Sequence, residues 1–556
     1  MPTVNAYRRS PLLDCAYTPL PDAAVHPEGA LARWIQEALL HARAEEMSPL
    51  DSMLATKLGE YAQLPDMPDL DAALLQAVQN PRFFLATLRA AMMRAATVRD
   101  KEAMRWVLAV MREFQDRMPQ IEEGALFEGG ADGLRVAQEL YRRTGQKFLL
   151  SVMERFRAQL PDVSGFFHMF PFLKAFTPEK TDPKAEDETS RYHRRMERLA
   201  TGRLTADALS MSAHLGLYSG SARDASAAKT GLAALQRYHG LSSGAFSADP
   251  CLAGRDPSRA ADLQAVCAQA EALYDVLAAE GNLQVADQLE TLFTNALCDL
   301  TTPDGVRALQ PVNRLTDDES CIAVRPDARE VSTLLRAAYA MRRAVWMGRE
   351  EDEIALMLPL DCRCLTRLNG APVRLNAATS GTCLRRAVRI AVETKEPVDF
   401  TLSLRIPGYA EGATVSVNGG RAQEATAGTL FAVTRTFKTG DTITLVLPAK
   451  PRMETGFRGS VSVYAGSTLM ALPLPESGDA WQYALAGNAP LKPSTTDGQP
   501  SVLAVACEAP GWLEKDGFIA PPPQGTRLSA AYELIQLPYA GTNGRIASFP
   551  LAGRRE

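Results

Sequence analysis

Histidine is scarce in this chain, with six in 556 residues, so a His-rich metal site or paired imidazole chemistry has little to draw on. No block of Lys or Arg stands out, and the net charge is −5 with a pI near 5.9. That balance gives no electrostatic support for binding nucleic acid or an anionic membrane surface. No apolar run approaches the roughly 20 residues that a membrane helix needs. The first 22 residues carry no continuous apolar stretch of the kind that opens a secretory signal, and the nine cysteines are scattered and odd in number. Reduced thiols in a cytoplasmic protein are therefore the expectation. A fixed-period repeat is also missing, which argues against a simple solenoid. The segment Gly216 to Gly220 lacks the Gly-Lys-Ser/Thr that would follow in a phosphate loop.

The composition is that of an ordinary globular protein, 46% hydrophobic and 22% charged, and the length calls for two to three domains. Up to about residue 348 the apolar residues recur at helical spacing. Ala30 to Ala44 sets Leu31, Trp34, Ile35, Ala38 and Leu39 on one face; Arg82 to Arg99, Ala103 to Arg117, Gly133 to Arg143 and Lys147 to Gln159 repeat the pattern. Residues 176–195, charged and Pro-containing, read as a solvated loop. The pattern resumes with Leu263, Val266, Cys267, Ala270, Leu273, Tyr274 and Leu277, then Val285 to Ala296, then Val331 to Trp346. Helices paired through short turns point to helical hairpins or an α/α barrel.

Beyond residue 350 the period falls to two. Ala387 to Glu393, Asp399 to Ile406, Ala413 to Val417, Thr429 to Arg435 and Thr442 to Leu447 alternate, punctuated by Asn418-Gly419 and Gly440-Asp441. Regular short strands predict an antiparallel β-sandwich. A second β-rich piece starts near Gly459. The expected organisation is a helical domain over 1–348, a β-sandwich over 349–453 and a second β-rich domain over 454–556. Cys362 and Cys364 read as strand residues, and Glu350 to Glu353 as a solvated turn between domains.

Two stretches carry a resemblance: LRIPGYAEGATVSVNGG (Leu404 to Gly420) and RTFKTGDTITLVLPAKPR (Arg435 to Arg452). They resemble the module behind the catalytic domain in glycoside hydrolase family 127, the β-L-arabinofuranosidase-like proteins, with Tyr409 in place of the usual Trp. Collinear matches lie upstream. These are Leu20 to Leu31; His239-Gly240, Asp249, Leu252-Ala253-Gly254 and Pro257-Ser258; Ala286-Asp287, Leu289-Glu290 and Asn295-Ala296-Leu297; Pro303-Asp304 and Val312-Asn313. The resemblance implies a six-hairpin (α/α)6 barrel followed by antiparallel β-sandwich modules, and a sugar or oligosaccharide as partner.

It also implies a retaining glycosidase in which a zinc-bound Cys is the nucleophile and a Glu the acid/base. Here that content is altered. The Glu position falls on Pro250, leaving Asp249 as the stand-in acid and substrate contact. The Glu-Leu-Cys of the metal helix falls on Asp262-Leu263-Gln264, with Cys267 one turn on as a substitute ligand or as a small buried core residue. The Cys-Cys pair falls on Ser320-Cys321, so Cys321 serves either as nucleophile or as metal ligand, according to register. His239 is either a sugar contact or a hydrogen-bonded structural residue. Asp262, Cys267 and Cys321 would form a remnant zinc site, and zinc is the implied cofactor. Two readings follow: a carbohydrate-active enzyme with a degenerate site, or a non-catalytic paralogue that binds carbohydrate or a protein. A scaffold that oligomerises through its β modules is a third.

Overall fold

In the computed structural model, the described residues run from 16 to 552. Excluded are 21–24, 43–49, 51–53, 56–57, 59–68, 98–99, 123, 180–186, 303–304, 315–322, 351, 475–482, 487–489, 509–512, 515–517, 520–527 and 540–543.

The first half is helical. Its elements are α1 (Gly29–Ala42), α2 (Leu70–Gln79), α3 (Pro81–Thr97), α4 (Lys101–Arg117), α5 (Gly130–Thr144), α6 (Phe148–Gln159) and α7 (Val163–His168). Then come α8 (Glu188–Ala200), α9 (Gly202–Ser219), α10 (Ala222–His239), α11 (Leu263–Glu280), α12 (Leu283–Leu292) and α13 (Ala328–Val345). Local chemistry starts and stops them. Asp100 caps α4 by accepting from the Glu102 and Ala103 amides, and left-handed Gly145 and Gly281 end α5 and α11. The α4 stripe Ala103, Val107, Val110, Met111 and Phe114 is buried. Phe114 is wedged between Phe84 and Phe156, with ring centroids 4.8 and 5.8 Å apart. Burying one such ring is worth about 1.5–3 kcal/mol.

Helices α3, α5, α9, α11 and α13 pack in succession as an inner layer, and α4, α6, α10 and α12 pack behind them. Their burial differs accordingly: α11 is buried almost all round from Leu263 to Leu277. The helical hairpins of the sequence reading thus form the barrel. One boundary moves: α8 begins inside the stretch read as a solvated loop. Asp187 caps it, and only Leu199 and Ala200 are buried, so it leaves almost no apolar stripe to read.

A five-stranded and a seven-stranded sheet follow. The first orders Thr18–Pro19, Trp346–Glu350, Glu353–Leu356, Val398–Arg405 and Leu430–Phe437. The second runs Gln423–Ala425, Ala413–Val417, Thr442–Pro448, Arg385–Thr394, Ala371–Thr382, Cys362–Leu368 and Val25–Pro27. Both therefore gain an edge strand from the start of the described chain. Cys362 and Cys364 are buried on the inward face of their strand, as expected. Asn418 and Gly419 have φ of +53° and +69°, the conformation of a tight hairpin turn. The Asn418 side chain locks the turn, donating to Asp441 at 2.7 Å and accepting from the Thr442 amide at 2.7 Å. A third sheet is built from Arg452–Thr455 onward, around its own cluster of Val463, Met470, Val502, Leu534 and Phe549. Among the described residues, no helix is long and apolar enough to cross a membrane.

Candidate active site

The inner helices meet in a band of charge. Arg89 of α3 donates to Asp132 of α5 at 2.7 Å and to Glu271 of α11 at 2.9 Å. Arg336 of α13 pairs with Glu271 at 2.8 Å, and Arg135 of α5 with Asp275 of α11 at 2.5 Å. Burial works against the charges on Asp132, Glu271 and Asp275. The surrounding guanidinium groups, with His214 beside Asp275, outweigh it and hold all three carboxyls below their usual range. The sequence reading missed this network because its partners are far apart in the chain: Arg89 and Glu271 are 182 residues apart.

At the N-terminal end of α11 lies the loop that the sequence singled out. Its backbone is tied on three sides. The Ala248 amide donates to Ala260 at 2.9 Å and the Asp262 amide to Ala248 at 2.8 Å, laying the loop along the strand Ala260–Asp262. The Leu252 amide donates to Ala200 at 2.8 Å, and the Gly202 amide to Pro250 at 2.9 Å. Gly202 is needed there: a Cβ on it would meet the Ala248 and Ala265 methyls at 2.3 and 2.8 Å.

The expected site residues divide. Asp249 and Asp262 are brought to one place by this strand. Asp262 caps α11, accepting from the Ala265 amide at 2.7 Å. Burial pushes its carboxyl up to about 6; the Ala265 and Gln264 amides and Arg329 pull against this, and Asp249 adds to it. Asp249 is also raised, by burial first, with Arg259 at 3.8 Å opposing. Pro250 is exposed and adjacent, and offers nothing to titrate.

His239 does not face the site. It is fully buried, its Nε2–H donating to the Phe172 carbonyl at 2.7 Å and its Nδ1 accepting from the Gly254 amide at 3.0 Å. Both ring nitrogens are engaged, so the sugar contact expected of His239 is replaced by a structural staple. Burial lowers its pKa, keeping the ring neutral.

Cys267 is 1% exposed, and burial, then Glu271 and Asp262, raise its thiol far above the ordinary range. Its side chain lines the cleft described below, one turn on from Gln264. The expected nucleophile or ligand Cys321, with Ser320, lies outside the described residues. Among the described residues, no three His, Cys, Asp or Glu side chains sit together as a metal site. Asp262 is engaged as a helix cap and Gln264 offers an amide where a thiolate is expected, so the described donors by themselves do not make up the tetrahedral zinc site that the resemblance implies.

Gly240-Leu241-Ser242-Ser243-Gly244 has the form of a nucleophile elbow, which the sequence reading overlooked. It follows a helix rather than a strand, and the Ser242 carbonyl accepts the Tyr464 hydroxyl at 2.6 Å. It is a turn, tied to the third sheet.

Among the first turns of α3, α9, α11 and α13 opens a cleft of about 340 Å³. Its walls include Gln264 and Glu271 of α11, Arg203 of α9, Arg82 of α3, and Arg329 and Arg336 of α13.

Comparison with known proteins bears on the middle domain and on the fold. Residues 349–449 match the model of the GH127 β-L-arabinofuranosidase middle domain. A solved glycoside hydrolase superposes with a TM-score of 0.67 at 14% identity, covering 97% of this chain and 98% of its own. A GH127 β-arabinofuranosidase gives 0.60 at 14%, covering 97% and 98%. The GH127 β-L-arabinofuranosidase of Geobacillus stearothermophilus T6 gives 0.58 at 15%, covering 95% and 100%. A comparison with curated proteins finds no match.

Proposed function

We propose that this chain, GH127-like in its middle domain and in its fold throughout, is a carbohydrate-active protein. It acts on β-L-arabinofuranosides or related sugars, through a reduced active site at the N-terminal end of α11. The observation that carries the reading is the juxtaposition of Asp249 and Asp262 at the N-terminal end of α11, the helix whose Gln264 and Cys267 line the cleft, with both carboxyls pushed up. A carboxyl near 6 can hold its proton at working pH, as the general acid of a glycosidase must. Asp262 is thus the proposed acid and Asp249 its partner carboxylate, and of the two roles that the sequence left open for Cys321 we take that of nucleophile. No step is routed through zinc.

Turnover on a panel of 4-nitrophenyl furanosides and pyranosides tests this. We expect glycoside cleavage that is lost in Asp262→Asn and in Cys321→Ala. Cleavage that survives both variants would refute the assignment.

A second reading has its own support, in Gln264 at the family's thiolate position and in the engagement of Asp262 as the cap of α11. On this reading the cleft binds sugar without cleaving it. Saturable binding of a sugar in calorimetry, with no turnover across the panel, would decide for it.

A further inference from the structure

The cleft at the start of α11 is the meeting point of parallel helix beginnings. Arg82 lies in the first turn of α3, Arg203 in that of α9, Gln264 in that of α11 and Arg329 in that of α13. The positive ends of four inner helices therefore face one space. Four guanidinium groups line it, against two carboxylates, Asp207 and Glu271. These carboxylates match part of it: Arg203 pairs with Asp207 at 3.2 Å and Arg336 with Glu271 at 2.8 Å, while Glu128 behind the rim takes Arg82 at 3.4 Å and Arg203 at 3.5 Å. Glu271 is occupied by Arg89 and Arg336, and burial raises Asp207 toward its neutral form. Arg82 is so placed that burial and then Arg203, Arg329 and Arg336 all lower its pKa, with only Glu128 opposing.

Two donors are left over. Arg329 is exposed and forms no ion pair with any described carboxylate. The Nε of Arg336 is buried and has no hydrogen-bond partner among the described residues. An uncharged sugar would leave the Arg329 charge unmatched; a planar carboxylate or a phosphate would match the guanidinium fork. The volume, about 340 Å³, is that of a small-molecule site.

We infer that the cleft takes a sugar bearing an anionic group, with Arg329 and Arg82 as its ligands at the rim and Arg336 at its floor. This rests on the proposed sugar site and specifies its substrate class.

Titration calorimetry of the full chain with glucuronate, glucose 6-phosphate, glucose, L-arabinose and inorganic phosphate tests it. We expect glucuronate or glucose 6-phosphate to bind at least tenfold more tightly than glucose. The preferred one of the two identifies the anionic group. Raising the salt concentration should weaken that binding, and Arg329→Gln, at an exposed position with no ion pair among the described residues, should weaken it about tenfold. Neutral sugars binding as well as the acidic ones would overturn the inference and leave the sugar site standing. Inorganic phosphate binding as tightly as glucose 6-phosphate, or no binding of any probe, would overturn it also.

Discussion

Arg405 and Glu290 face each other fully buried across the junction between barrel and β-sandwich, the Arg405 Nη2 donating to the Glu290 carboxylate. Arg405 also donates to Asp287 of the same helix, whose other oxygen accepts from the Gly408 amide at 3.1 Å. Glu290 in turn accepts from Arg386 at 3.1 Å, the Tyr409 hydroxyl at 3.2 Å and Ser467 at 3.1 Å. The motif Leu404 to Ala410 and the motif Ala286 to Glu290 are thus two halves of one joint. Further along, Asn295 donates to Ser467 at 2.9 Å and accepts from the Leu469 amide at 2.8 Å. Asn313 accepts from the Ala547 and Ser548 amides at 2.9 Å each. The residues that carry the resemblance hold the barrel and the β modules together.

Removing one member of this joint leaves a buried charge unmatched. Arg405→Ala is expected to destabilise the protein by about 3–5 kcal/mol, or to split its unfolding into separate transitions. Scanning calorimetry reads either result. An unchanged single transition would show that the joint contributes little.

The joint also shows where sequence reading reaches its limit. The short strands and their turns were legible because alternation and the Asn418-Gly419 signal are local. Ala371–Thr382 was not assigned as a strand, being small and polar; it takes its place from ten residue pairs with Arg385–Thr394. The site loop was found, through Asp249 and Asp262, because their motifs are contiguous. The roles of His239 and Cys267 had two readings each, and only burial separates them. The arginine-lined cleft was beyond reach, since Arg82, Arg203 and Arg329 are united by the packing of distant helices.

For His239, the structural role makes a prediction in two parts. His239→Phe loses both ring hydrogen bonds, at a cost of about 1–3 kcal/mol, yet leaves sugar affinity unchanged. The folded pKa is below the unfolded value near 6.5, so the wild-type contribution holds above that pH and is lost as pH falls below it. Urea unfolding at pH 7.5 and 5.5, compared between wild type and variant, isolates the effect. A variant as stable as wild type with weakened sugar binding would return His239 to the site.

Asp262 should act in the opposite sense. Its folded pKa of about 6 exceeds the unfolded value of 3.8, so the protonated carboxyl favours the folded state at low pH. That contribution declines as pH rises from about 4 to 6, by about 3 kcal/mol at most. Asn keeps a side-chain oxygen for the Ala265 amide, so Asp262→Asn should preserve the cap and remove the pH dependence. Unfolding curves at pH 4.5 and 6.5 check this; identical slopes in both proteins would contradict it.

The central claim is that a sugar site at the start of α11 works through carboxyl groups and without a bound zinc ion. Its most direct test is turnover of a 4-nitrophenyl glycoside panel, neutral and acidic, by the full chain before and after exhaustive treatment with a metal chelator. The account predicts glycoside cleavage that the chelator leaves unchanged and Asp262→Asn abolishes. Cleavage that the chelator abolishes and zinc restores would contradict it.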